Sequence, residues 1–93
     1  MAKPKEKAWL SNLDLRGRLL VHLASAQSRF ESAIVARFRY WWPEKAIRLE
    51  LRALQYEQLI DLMALDRVRW ALTAAGRSAA REARERAQKA KAA

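Results

Sequence analysis

The chain contains no cysteine, only two glycines and two prolines, and a single histidine in 93 residues. Without thiols it has no disulfides, no cysteine-ligated zinc and no thiol nucleophile. So few Gly and Pro leave little material for tight turns. That argues against an all-β fold and against Gly-rich phosphate loops. No uninterrupted apolar run approaches the ~20 residues of a membrane-spanning helix, so no spanning segment is expected and a membrane is not among the expected partners. The Lys-bearing N-terminus carries no charge-free apolar stretch of the kind a secretory signal needs. His22 has no second ligand and no nucleophile motif around it, so a structural role is expected. Glu57 and Asp61 stand one turn apart, but a carboxylate pair without His is a weak metal signal. These absences point away from an enzyme and imply no metal and no cofactor.

What the chain does have is alanine and positive charge. Nineteen of its apolar residues are Ala, which add little to a core, and 19 Lys and Arg oppose 10 Asp and Glu for a net charge of +9. The ends hold most of the excess. Residues 1–7 carry +2, residues 8–76 carry +3 and residues 77–93 carry +4.

The apolar spacing predicts two long helices. Ser11 and Asp14 suit the start of the first, as a capping box with Asp in place of Glu. Leu13, Leu20, Leu23, Phe30, Ile34, Phe38 and Trp41 then recur at helical steps. Pro43 turns the chain, because the residue before it is pushed out of the α region and Pro itself suits a first helical turn. The second helix is apolar on two faces. Ile47, Leu51, Leu54, Leu62, Leu65 and Leu72 form one; Leu49, Ala53, Tyr56, Ile60, Met63 and Trp70 form the other. Gly76 is a natural end or hinge. Beyond it the Ala, Arg, Glu, Gln and Lys residues are strong helix formers.

The expected fold is therefore all-α. It is a long two-helix hairpin (about 12–41 and 43–75) with a basic Ala/Arg-rich C-terminal helix or helical extension. The domains divide into a flexible basic arm (1–10), the hairpin (11–76) and the tail (77–93). A helix apolar on two faces needs more than one neighbour, and a lone core in so short a chain is marginal. Packing into an oligomer or a larger assembly is the expected remedy, through Tyr56, Ile60, Met63, Trp70, Trp41 and Trp42. An Ala seam at residues 79, 83, 87 and 90 suits close approach to a neighbour.

Arg77, Arg81, Arg84, Arg86, Lys89 and Lys91 are the candidate contacts for nucleic acid or another anion, by counterion release. The same charges also suit a merely solvated tail. Phe38, Tyr40, Trp41 and Trp42 interleave with Arg37 and Arg39, a pattern shared by interface hot spots, base-stacking surfaces and membrane-surface anchors, the last opposed by the acidic residues of the second helix. Their place at the helix corner favours packing. Nothing marks base readout, since helices this long do not suit a helix-turn-helix. The leading expectation is a non-enzymatic structural or assembly protein, cytoplasmic or within a particle such as a virion assembled there, with its basic ends on nucleic acid or an acidic surface. The alternatives are a nucleic-acid-binding protein of low sequence specificity and a small regulator that blocks one host protein.

Overall fold

A computed structural model describes residues 7–63 and 67–92. The chain is mostly helical, but the all-α expectation is corrected by a three-stranded antiparallel sheet. A 3-10 turn, Ala8–Asn12, leads into α1 (Leu15–Ala24). Then follow β1 (Arg29–Phe30), α2 (Glu31–Phe38), α3 (Glu44–Tyr56), β2 (Ile60–Leu62), β3 (Arg69–Leu72) and α4 (Ala74–Ala92). Strand β3 lies in the middle, with Arg29 opposite Trp70 on one side and Ile60 opposite Leu72 on the other.

Neither long helix survives intact, and each breaks for a local reason. The helix expected over 12–41 starts at Asp14, whose carboxylate accepts the Gly17 N–H at 2.8 Å. It ends at Ser25. There the Ser25 hydroxyl donates to the His22 carbonyl at 2.7 Å, and Arg29 Nε donates to the same carbonyl at 3.3 Å. Serines compete with the helical backbone in this way, and an arginine suits a helix C-terminus.

The helix expected over 43–75 stops after Tyr56. Gln58 adopts φ 62°, its N–H reaches the Gln55 carbonyl at 2.9 Å, and the Leu59 N–H reaches Leu54 at 2.9 Å. This is a Schellman ending with Gln where Gly is usual. The hairpin β2–β3 follows.

The core draws on every layer. Leu19 and Leu23 of α1, Ile34 of α2, Ile47, Leu51 and Leu54 of α3, and Ile60 of β2 are fully buried, with Trp70 and Leu72 of β3 beside them. The tail does not stand apart as a separate segment. Ala80, Ala83 and Ala87 of α4 are buried, and Asn12 Nδ2 donates to the Ala87 carbonyl at 2.9 Å. Of the expected seam, Ala83 and Ala87 are buried, Ala79 is half-buried and Ala90 is exposed. The expected arm falls largely on residues 1–6, outside the described residues, while Trp9 is buried.

Gly76 neither ends a helix nor hinges one. It lies in the first turn of α4, which Thr73 caps by accepting the Gly76 N–H at 3.0 Å while donating to the Gln58 carbonyl at 2.7 Å. This brings α4 against the β2 approach so closely that a Cβ on Gly76 would lie 1.9 Å from the Leu59 carbonyl oxygen. At Gly17 a Cβ would meet side chains rather than backbone, the movable end of Leu13 at 2.9 Å and the Asp14 carboxylate at 3.3 Å. Gly76→Ala is therefore expected to lose about 2–3 kcal/mol, because backbone must move. Gly17→Ala should fall near neutral, since the gain in helix propensity of about 1 kcal/mol offsets the crowding. Urea unfolding of the two variants checks this, and equal losses would contradict it.

Candidate nucleic-acid interface

Helices α2 and α3 are joined by the short turn 39–43. Both the Trp41 and Trp42 N–H groups donate to the Phe38 carbonyl, at 3.0 and 3.2 Å. Pro43 is extended (φ −60°, ψ 147°) and starts α3, with Glu44 in its first turn. Charge at that end complements the helix dipole. Trp41 and Trp42 are half-buried and pack on the core, as the corner position implied. The Arg18 guanidinium lies 5.2 and 5.4 Å from their ring centroids, in cation–π range.

Helix α3 has two unlike faces. Ile47, Leu51 and Leu54 are buried. Lys45, Leu49, Arg52 and Tyr56, at steps of four, three and four, are all exposed, Leu49 at 59% and Tyr56 at 90%. A helix recovers free energy by burying such apolar groups, so their exposure sets this face apart.

The charges on α3 are sorted as well. Arg16 Nε bonds Glu50 at 2.8 Å and Arg16 Nη2 bonds Glu57 at 2.5 Å. Those hydrogen bonds raise the Arg16 pKa and lower that of Glu57. Arg48 holds Glu44 at 2.6 Å and also pairs with Glu31. The acidic groups along α3 are thus engaged by Arg16 and Arg48, while Lys45 and Arg52 meet no carboxylate among the described residues. The hairpin adds two more cations. Arg67 and Arg69 lie 4.2 and 4.3 Å from the Phe30 ring centroid, and both are exposed.

The residues expected to form a protein interface are divided. Ile60 and Trp70 are core residues on β2 and β3, at 0% and 2% exposure, so neither lies on a surface. Tyr56 and Met63 are exposed, with Leu62 and Val68 nearby in the hairpin.

The basic tail does not present one continuous strip. Arg77, Arg81 and Arg84 face a cleft of about 610 Å³ between α1, α2 and α4. Arg86 lines a different groove, against the start of α1, and Lys89 is exposed. The Lys91 side chain lies outside the described residues. The case against a helix-turn-helix rested on helix length and falls with it, since α2 has 8 residues and α3 has 13. Lys45, Leu49 and Arg52 were not legible as a surface because the uninterrupted apolar pattern hid where α3 ends.

No protein-family model matches this chain, and comparison with curated proteins gives no match. Among the described residues no group of three His, Asp or Glu could hold a metal ion, and no helix is long and apolar enough to cross a membrane.

His22 lies in the wall of the cleft, its ring edge-on to Phe38 at 5.2 Å. Burial, with Arg29 and Arg37 nearby, lowers its pKa to about 4. The unfolded chain takes up the proton near 6.5 and the folded one only near 4. The contribution of neutral His22 is therefore intact above pH 6.5 and lost progressively as pH falls towards 4. His22→Phe is expected to weaken this part of the acid destabilisation. Urea midpoints at pH 7 and 4.5 measure it, and identical pH dependence in both proteins would contradict the assignment.

Proposed function

We propose that this chain is a non-enzymatic nucleic-acid-binding protein that acts on duplex DNA through α3. The observation that carries the reading is the outward stripe Lys45, Leu49, Arg52 and Tyr56, on the second helix of a helix–turn–helix pair. The order helix, strand, helix, helix, strand, strand, with β3 central, resembles a winged helix-turn-helix arrangement. In helix-turn-helix proteins the second helix enters the major groove. A fold alone carries no function; the chemistry of the stripe does. Arginine reads guanine, an apolar side chain meets the thymine methyl, and lysine and tyrosine suit phosphates. In this reading the exposed Arg67 and Arg69 of the hairpin add contacts to the backbone beside that groove. The cytoplasm is the fitting compartment.

Arg52→Ala is expected to weaken duplex binding by about 1–3 kcal/mol if it reads a base. Lys45→Ala should weaken binding on all sequences and flatten the salt dependence by about one phosphate contact. Fluorescence anisotropy on duplex pools at two salt concentrations measures both. Unchanged affinity in the Arg52 and Lys45 double variant sinks the reading.

The assembly reading keeps support from a smaller surface than the one first expected. Leu62, Met63 and Val68 are exposed together with Tyr56, and β2 is an edge strand. Edges of this kind pair with other chains unless blunted. A second copy on this edge suits a DNA-binding protein, which gains affinity from two half-sites. Leu62→Lys with Met63→Lys should then lower the solution mass seen by light scattering. An unchanged mass removes this surface from any assembly.

A further inference from the structure

The cleft between α1, α2 and α4 contains no residue of α3 or of the hairpin, so it is separate from the proposed DNA face. Beside Lys7 and Arg18, four cations converge on it from different elements: Arg37 from α2, and Arg77, Arg81 and Arg84 from α4. None of these four engages a carboxylate among the described residues, and no carboxylate lines the cleft among them. Like charges gathered this way repel each other, and an anion between them relieves that repulsion.

The walls are not those of a phosphate track. Half-buried Val21 and Leu10 supply apolar surface beside the buried Phe38, and Arg84 lies 5.7 Å from the ring centroid of the buried Trp9. The volume, about 610 Å³, falls in the range of small-molecule sites, which combine apolar walls with a few convergent polar groups. A DNA backbone tracks a basic strip along a surface. Here Arg77, Arg81 and Arg84 instead face into a cleft with apolar walls, while Arg86 lines another groove.

We propose that this cleft binds a small organic anion, with a carboxylate or phosphate head between Arg37, Arg81 and Arg84 and an apolar or aromatic body against Leu10 and Val21. Guanidinium forks match both head groups in two-point hydrogen bonding. The body distinguishes such a ligand from an inorganic ion, because only the body gains from the apolar wall.

Phenyl phosphate, benzoate and inorganic phosphate, titrated in turn into the full chain, test this by tryptophan fluorescence and amide chemical shifts. Phenyl phosphate or benzoate is expected to saturate one site at least tenfold more tightly than inorganic phosphate, with shifts centred on His22, Phe38 and Arg81. Whichever organic anion binds better identifies the head group. Arg81→Ala with Arg84→Ala should weaken that binding at least tenfold, and Arg77→Glu should do the same. Lys45→Ala with Arg52→Ala should leave it unchanged. Equal affinity for the organic anions and inorganic phosphate overturns the proposal, as does full binding in the Arg81 and Arg84 double variant. Displacement of phenyl phosphate by a DNA duplex also overturns it, by making the cleft part of the nucleic-acid surface. Loss of the DNA reading leaves these titrations untouched, since none depends on DNA binding.

Discussion

The buried carboxylate of Glu31 ties together the parts on which the rest of the molecule depends. It is only 7% exposed. One oxygen accepts the Trp70 indole N–H of β3 at 3.0 Å, and the other pairs with Arg48 of α3. Its own N–H donates to the Val68 carbonyl at 2.9 Å. One residue at the start of α2 thus fixes that helix to α3 and to the hairpin. A buried charge is costly unless paired and fully hydrogen-bonded, so the three elements hold their arrangement together or not at all. The helix dipole at the α2 N-terminus adds to the same end. Helix α3 and the hairpin are thus held to one carboxylate, through Arg48 on one side and Trp70 on the other.

Much of the helical content and one corner were legible in the sequence. Pro43 placed the turn before α3, and the buried residues Leu20, Leu23, Ile34, Phe38, Ile47, Leu51 and Leu54 were all on expected apolar faces. The sheet was not legible, for two physical reasons. Strand β1 is two residues long and pairs only with distant β3, so no local pattern announces it. In β2 and β3 the alternation of Ile60 with Leu62, and of Trp70 with Leu72, has period two, but such short runs also fit helical steps of three and four. Propensity could not decide it, and Gln58 in a left-handed conformation, where Gly would have signalled the stop, concealed the end of α3.

The same misreading explains the apolar surplus. A single helix from 43 to 75 required a second apolar face and hence a partner. Once the chain folds back as a hairpin, Ile60 and Trp70 enter the chain's own core, and α4 covers α1 with buried alanines. Small side chains in that seam let α4 lie close to α1, which is why an Ala-rich tail that buries little per residue is still part of the domain. What is left outside among the described residues is small: Tyr40 in the turn before α3, Leu49 and Tyr56 on α3, and the Leu62, Met63 and Val68 group on the hairpin.

The net charge of +9 is likewise distributed by structure rather than along the chain. Arg16 and Arg48 are consumed in holding α3 against α1 and α2, so positive residues counted in the sequence are not equally available to a ligand. Most of those that remain lie on two surfaces, α3 with the hairpin and the cleft beneath α4, while Arg86 lines a separate groove. The surfaces meet at one corner. Arg18 lines the cleft and stacks on Trp41 and Trp42, in the turn that begins α3, while Phe38 packs against both indoles at 6.4 and 6.3 Å. The geometry at this corner makes the position of α3 and the shape of the cleft parts of a single packing arrangement.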